Sequence, residues 1–246
     1  MVKIIQKCHR LEVGVIMKSI PLSIILAIFC SFFMQSSWSL DDKDGTSVSC
    51  DNFNSQGNPY FGDMHVHTTY SIDAFSQGVN TTPEQAYRFA KGEQIGLHPF
   101  SANGISTRFA HFERRLDFAV VTDHAEFFGE YTICTDPSNQ FYNDTNCQVL
   151  RQRNGTSLIG WNVLLGALPP NVKRFDFCGA DGSICTDEVA SIWQGMQAAA
   201  EQFYDRSTDC TFTTFIGYEW TGAPTANFGN GGIETINLHR NIIFLN

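Results

Sequence analysis

Two largely apolar segments, residues 116–122 and 212–220, constrain the fold of this chain more than any other feature of its sequence. A short run that is apolar on both faces is typical of a buried parallel strand. Between the two segments, apolar residues recur at helical spacing from Asp187 to Tyr204 and indicate an amphipathic helix. A strand, a helix and a second buried strand in this order predict an α/β fold with mainly parallel pairing.

The other segments fit the same class. Residues 60–67 are expected to form a strand, and Thr82 followed by Pro83 predicts a helix that runs to about Lys91. Residues 92–114 and 222–232 are expected to be loops, and residues 233–245 form a further strand-like run.

The amino terminus predicts export. Residues 20–33 are an apolar run of 14, too short for a membrane span of about 20 residues. Small residues at Ser37 and Ser39 fit cleavage after Ser39, so residues 1–39 are expected to be a signal peptide and residues 40–58 a linker. The alternative is an uncleaved anchor. With cleavage, the protein is periplasmic or extracellular and keeps no stable membrane anchor.

Six cysteines follow the predicted cleavage site, and an even number in an exported protein suggests disulfides. Cys134 with Cys147 and Cys178 with Cys185 are near neighbours, so these two pairs are favoured. Cys50 and Cys210 either pair with each other or stay free. The four cysteines of the two favoured pairs lie in residues 129–186, which we interpret as a cysteine-stapled insertion.

The charge balance excludes one class of partner. With 25 acidic and 16 basic residues the net charge is −9, so a nucleic-acid binder that neutralises phosphates through a basic surface is not expected. Acidic and imidazole side chains are instead the groups that metal sites use.

Polar side chains of metal-ligand type accompany three predicted strands. His65 and His67 end the first, Asp123 and His124 follow the second, and Glu219 ends the third. Because the carboxyl ends of parallel strands meet at one edge, these side chains are expected to converge. Glu219 can bridge two ions with its two oxygens, and Asp123 can orient an imidazole from behind.

These strings resemble a known family. Residues 65–71 (HVHTTYS), 121–124 (VTDH) and 217–219 (GYE) are similar to motifs of the polymerase-and-histidinol-phosphatase (PHP) superfamily of metal-dependent phosphoesterases. Residues 61–67, 122–127 and 237–241 resemble an exported branch of it, a domain of unknown function. The resemblance implies part of a distorted (β/α)7 barrel holding two or three Zn, Mn or Fe ions. Residues 59–246 would be its amino-terminal part, and the chain would be truncated.

Carried over by motif, the resemblance implies that His65, His67 and His124 bind metal and that Glu219 bridges two ions. Asp73 is either a further ligand or a turn residue. His239 is a metal or phosphate ligand, or else a structural polar residue. Arg240 either meets a phosphate or forms a surface ion pair. His98 and His111 match no motif and are expected to be solvated loop residues.

The leading hypothesis is a hydrolase of phosphate esters that acts on a phosphorylated small molecule. Clustered cations would lower the pKa of a bound water and generate hydroxide. Two alternatives stay open: hydrolysis of C–N or carboxylic ester bonds, and a non-catalytic exported domain that binds metal or another ligand.

Overall fold

The computed structural model describes residues 50–165, 174–222, 225–227, 233–235 and 238–245. The predicted signal peptide and most of the predicted linker lie outside these residues. The described part is mixed α/β, and its strands are β1 (Gly62–Val66), β2 (Ile95–Phe100), β3 (Ser106–Ala110), β4 (Phe118–Val121), β5 (Thr213–Gly222), β6 (Thr225–Asn227), β7 (Ile233–Thr235) and β8 (Leu238–Phe244). Its α-helices are α1 (Ile72–Ser76), α2 (Pro83–Ala90), α3 (Phe128–Thr135), α4 (Thr145–Arg151), α5 (Gly155–Leu165) and α6 (Ser183–Phe203).

The main sheet has the strand order β1-β4-β5-β8. As the apolar segments predict, β4 lies in the centre and pairs in parallel with β1 and with β5. Its residues Ala119, Val120 and Val121 are buried. The fourth strand, β8, pairs with β5 in the antiparallel direction. The parallel core therefore brings the carboxyl ends of β1 and β4 to the same edge, beside the second half of β5.

The sheet curls into a half-barrel. Asn241 on β8 donates a hydrogen bond from its side-chain nitrogen to the carbonyl oxygen of Met64 on β1, over 2.8 Å. These two strands stand at opposite ends of the strand order, so the sheet must bend until their ends approach. The concave side of this bend faces the polar residues that the sequence singled out.

Helices pack against the strands of the sheet. Thr82 starts α2 with a capping box, because its side chain accepts from the amide of Gln85 while the Gln85 side chain accepts from the amide of Thr82. Helix α6 begins four residues before the predicted Asp187 and buries one stripe, formed by Ile192, Met196, Ala199 and Ala200. It packs against α2, α3 and β5 and closes the apolar core.

The insertion is stapled as predicted, and much of it is helical. Disulfides join Cys134 to Cys147 and Cys178 to Cys185, and a third joins Cys50 to Cys210. Both insertion disulfides are fully buried in the core. Three disulfides are typical of exported proteins. Within the described residues, no helix is both long enough and apolar enough to cross a bilayer.

An ion pair links the segment before the Cys178–Cys185 disulfide to α3. The guanidinium of Arg174 donates two hydrogen bonds of 2.7 Å to the two carboxylate oxygens of Glu130. Glu130 is fully buried, so the paired charge of Arg174 is what makes a carboxylate tolerable there. Such bidentate geometry fixes orientation as well as charge.

Residues 92–114 are not the loop that the sequence suggests. They contain the antiparallel hairpin of β2 and β3, in which Ile95 lies opposite Ala110. Gly96 and Pro99 interrupt the apolar alternation on which a strand prediction depends. The sequence does contain a hairpin signal, since Asn103 precedes Gly104 and Gly104 has a positive φ of 72°.

The carboxyl-terminal prediction is corrected in the same way. The strand-like run 233–245 is divided into β7, which pairs with β6, and β8, which pairs with β5. The predicted loop 222–232 includes the short strand β6, and the remainder of that range beyond Gly222 lies outside the described residues.

Candidate metal centre

Strand β1 presents two imidazoles side by side. His65 and His67 are two residues apart on an extended segment, so their side chains leave the same face. Their Nε2 atoms are 3.0 Å apart, and both contact Oε2 of Glu219, at 2.8 Å from His65 and 2.7 Å from His67. Three ligand-type atoms therefore surround one point, where a cation or a shared proton is needed to offset their repulsion.

Glu219 stands at the centre of the arrangement. Its side chain is only 1% exposed, and it lies within β5, which continues to Gly222. While Oε2 contacts the β1 imidazoles, Oε1 contacts Nδ1 of His239 at 2.5 Å. The Nε2 atom of His124 lies 3.8 Å from Oε2. The two oxygens thus face different imidazoles, as a carboxylate that bridges two cations must.

The strand pairing explains why His124 and Glu219 meet. His124 follows β4 and forms an isolated parallel bridge with Glu219, whose amide donates to the carbonyl of Asp123 over 3.0 Å. Thr221, two residues further along β5, is opposite His239 on β8. The pairing of β5 with both neighbours therefore carries His124 and His239 to the same carboxylate.

Six of the predicted residues form three overlapping groups. Within each group the possible ligand atoms lie within 4.8 Å of one another, and the groups are His65/His67/Glu219, His67/Asp73/His124 and His124/Glu219/His239. Because His67, His124 and Glu219 each belong to two groups, the cations would share ligands. Imidazole nitrogens and carboxylate oxygens suit first-row divalent ions such as Zn, Mn and Fe.

Asp73 is more than a turn residue. It lies in the first turn of α1, and its two carboxylate oxygens are each 3.1 Å from Nδ1 of His67. The hydroxyl of Ser71 donates to the same carboxylate over 2.5 Å. This contact fixes the ring of His67 and leaves Nε2 directed at Glu219. Asp73 can therefore orient a metal-binding imidazole, besides offering an oxygen to a cation of its own.

The expected role of Asp123 is corrected by its contacts. We expected this carboxylate to orient a neighbouring imidazole, but it accepts hydrogen bonds from the amide and the hydroxyl of Thr68, the latter over 2.7 Å. Successive residues on an extended chain point to opposite sides, so Asp123 faces away from His124. Its buried carboxylate instead fixes the turn that follows His67.

Glu126, rather than Asp123, is the carboxylate that lies beside His124. The Nδ1 atom of His124 is 2.9 Å from the hydroxyl oxygen of Thr221 and 3.4 Å from Oε2 of Glu126. The other oxygen of Glu126 accepts from the amide of Thr221. Both groups lie behind the ring, so Nε2 is left facing Glu219. The sequence signal is a carboxylate two residues after His124, on a short 3-10 helix at Ala125–Phe127.

We expect Glu126→Gln to weaken metal binding about tenfold, because outer-sphere partners of histidine ligands contribute roughly 10–100-fold to affinity. Glutamine keeps an oxygen for the Thr221 amide but removes the negative charge beside Nδ1. Competitive titration with a chromogenic chelator would measure the change. Glu93→Gln, which alters an exposed ion pair with Arg88, serves as the control. An unchanged affinity in Glu126→Gln would show that Thr221 alone orients the ring.

The electrostatics of the centre favour cations. Burial lowers the pKa of His67 and of His124, but nearby carboxylates, Asp73 and Glu126 foremost, outweigh burial and raise both. Burial raises the pKa of Glu219, but the surrounding imidazoles outweigh burial and hold this pKa below the ordinary value. Protons and metal ions therefore compete for the same nitrogens, and the negative charge needed to attract either is present.

Asp123 differs from the carboxylates that contact the imidazoles. Its burial raises its pKa to about 6, and the two hydrogen bonds from Thr68 only partly offset this. Asp73 is the contrast, because its hydrogen bonds with His67 and Ser71 outweigh burial and hold its pKa well below the usual range. The pKa of Asp73 is thus lowered by its contacts, whereas the pKa of Asp123 is raised by its burial.

Three other residues named in the sequence analysis are exposed. Arg240 is exposed on β8, and its guanidinium donates to the carbonyl of His239 over 2.7 Å, so contact with a phosphate stays a prediction. His111 is exposed, as expected. His98 is also exposed, but it lies on β2 rather than in a loop and lines the cleft in front of the centre.

A fourth group of ligand types, Glu130 with Cys178 and Cys185, does not form a metal site. Both sulfurs are joined in a disulfide, and Arg174 neutralises the carboxylate. Among the described residues, the half-barrel edge is therefore where free metal-ligating groups converge.

Comparison with known proteins identifies a family whose function is unknown. Residues 54–246 match the family model described as "Protein of unknown function (DUF3604)". Neither the curated proteins nor the solved structures contain a match to this chain. The matched region includes every residue of the three overlapping ligand groups and covers well over half of the sequence. The chain therefore belongs to the DUF3604 family.

Proposed function

We propose that this protein is a metal-dependent hydrolase of phosphate esters, built on part of a barrel of the PHP type. The observation that carries the proposal is the buried carboxylate of Glu219, which is contacted by His65 and His67 on one oxygen and by His239 on the other. A buried charge needs a partner of opposite charge. Imidazoles arranged to share that carboxylate are a donor set that fits divalent cations.

The topology supports the barrel. Parallel strands β1, β4 and β5 curl around the centre, and the ligand-type side chains lie toward their carboxyl ends. In closed parallel barrels this end of the sheet carries the active site. The four-stranded half-barrel accounts for part of the seven-stranded arrangement that the sequence resemblance implies.

Two or three first-row divalent cations in this centre would supply Lewis acidity, lowering the pKa of water and neutralising charge that develops on phosphorus. The side chains of the chain have distinct tasks. Glu219 holds the two halves of the centre together. Asp73 and Glu126 fix the imidazoles of His67 and His124, so that these rings need not reorganise when a substrate binds.

Access to the centre is open. A cleft of about 430 Å³ lies in front of it and is lined by His65, His67, Asp73, Ala74, Gln77, Val79 and His98. His65 is itself 56% exposed, which leaves one side of the centre free for a ligand. The cleft lies within the roughly 300–1,000 Å³ typical of small-molecule sites, so we propose a small phosphorylated substrate.

We further propose that the protein is exported and that residues 1–39 are removed. The three disulfides support this, because they form and persist in oxidising compartments. For this reason, the protein for functional tests should be produced in an oxidising compartment of the host.

The test is metal analysis of the full chain together with a panel of chromogenic substrates. We expect bound Zn, Mn or Fe, and hydrolysis of phosphate monoesters or diesters that stops with a chelator and returns with metal. A protein that lacks bound metal and gains none on dialysis would contradict the proposal. Bound metal without hydrolysis would favour the non-catalytic alternative. Faster hydrolysis of carboxylic esters or amides than of phosphate esters would favour the other enzyme class.

A further inference from the structure

A second hollow lies next to the cleft. It has a volume of about 270 Å³ and is enclosed by β1, β4, α2 and the strand β2. Its walls are mainly apolar, and their larger members are Val66, Tyr87, Phe89, Ile95, Leu97 and Phe112. We refer to it as the apolar cavity.

Two of the polar groups in the wall of the apolar cavity, those of Asp63 and Tyr87, already have partners. The carboxylate of Asp63 accepts from the amide of His65 over 3.0 Å. The hydroxyl of Tyr87 donates to the carbonyl of Phe215 and accepts from the amide of Val121, each over 3.3 Å. A ligand in this cavity would therefore be selected by its apolar surface and shape.

The size of the apolar cavity suggests an occupant. An apolar cavity of roughly 150 Å³ stays dry in water and takes up benzene. This one is larger, and leaving it empty forfeits the contacts of all its wall atoms. It is smaller than a complete site of roughly 300–1,000 Å³, so it suits one group of a ligand rather than the whole molecule.

The apolar cavity and the cleft share a wall. His67 and Val79 line both, so the two hollows adjoin at these residues. Strand β2 runs along the same boundary, with Ile95 and Leu97 on the cavity and the next residue, His98, on the cleft. A molecule held at the metal centre has the apolar cavity as its nearest apolar surroundings.

We propose that the apolar cavity binds an aromatic or branched alkyl group of the substrate while the anionic end of the same molecule is held at the metal centre. This inference rests on the proposed function and specifies its substrate class as phosphate esters of apolar alcohols or phenols. The hairpin of β2 and β3 would then determine which esters the protein accepts, because it supplies walls of both hollows.

The test compares two non-hydrolysable anions, phenylphosphonate and methylphosphonate, by calorimetric titration of the metal-loaded full chain. We expect phenylphosphonate to bind about tenfold more tightly, since a ring in a matched apolar pocket typically gains at least this factor. Equal affinities of the two phosphonates would overturn the inference and leave the proposed function standing.

A variant that fills the apolar cavity sharpens the result. Ala86 lines the cavity from α2, and Ala86→Leu should reduce the preference for the phenyl compound from about tenfold to about twofold. If overpacking prevents Ala86→Leu from folding, Leu97→Ser makes the wall polar instead and should give the same loss. Phe109→Ser is the matched control, because Phe109 is exposed on the adjacent strand β3 and does not line the cavity. A preference that survives both cavity variants would overturn the inference.

Failure of the proposed function gives a different result. In that case neither phosphonate binds more tightly to the metal-loaded protein than to the metal-free protein, which overturns the link between the apolar cavity and the metal centre. Titration of the metal-free protein with toluene then reports on the apolar cavity by itself, and Ala86→Leu should abolish that binding if the cavity is open to apolar ligands.

Discussion

Replacing Glu219 by glutamine is expected to release metal and to abolish phosphate-ester hydrolysis together. The substitution keeps the shape of the side chain but removes the charge that His65, His67 and His239 share. Loss of an outer-sphere partner costs roughly 10–100-fold, so loss of a bridging carboxylate should exceed this range in both metal affinity and kcat/KM. Metal content by mass spectrometry and hydrolysis rates on the same sample would measure both effects.

Glu201→Gln removes a carboxylate of the same type from an exposed ion pair with Arg206, and should change neither metal content nor rate. Thermal unfolding without added metal separates folding from ligation, because Glu219→Gln should unfold cooperatively at a temperature near that of the metal-free parent. A variant that folds, keeps its full metal content and hydrolyses esters normally would remove Glu219 from the centre.

The convergence of the centre was predictable from the sequence because it follows from parallel pairing. His65, His124 and Glu219 are far apart in the chain, yet β1, β4 and β5 lie side by side and bring them together. This argument needs only the apolar segments and the polar residues near their ends. It does not require the conformation of the loops between the strands to be known.

The outer contacts of the same centre were not predictable in this way. Asp123 was expected to orient an imidazole because it is next to His124 in the sequence. However, neighbouring side chains on an extended chain point to opposite sides. Glu126 reaches His124 only because a 3-10 turn bends the chain back after the strand. Sequence spacing does not specify such a bend, so the carboxylate that faces the ring had to come from the structure.

The hairpin of β2 and β3 shows a second limit of sequence reasoning. Gly96 and Pro99 weaken the local preference for a strand. The antiparallel pairing of β2 with β3, in which Ile95 lies opposite Ala110, compensates for that weakness. The consequence reaches function, because His98 was interpreted as a solvated loop residue and instead lines the cleft. Residues outside recognised motifs can therefore build the part of a site that selects the substrate.

The third disulfide holds the amino-terminal end of the described chain in place. Cys50 and Cys210 are separated by 160 residues in sequence, and their Cα atoms lie 5.6 Å apart. Beside the disulfide, the amide of Asp51 donates to the carbonyl of Thr208 over 2.9 Å. The segment that follows is poorly covered, since Phe53 is 74% exposed. Packing alone therefore contributes little to holding this segment, and the covalent link carries most of the constraint.

Replacing both Cys50 and Cys210 by serine is expected to destabilise the protein by about 3 kcal/mol, the typical contribution of a disulfide, because the unfolded chain regains conformational entropy. For a domain of this size the melting temperature should fall by roughly 6–12 °C. Differential scanning calorimetry would measure the shift, and limited proteolysis should show earlier cleavage near Phe53. Ser55→Ala, an exposed change in the same segment, should leave both readouts unchanged. A double variant that melts with the parent would show that contacts other than this disulfide hold the segment, and that the link constrains the unfolded chain far less than its loop length implies.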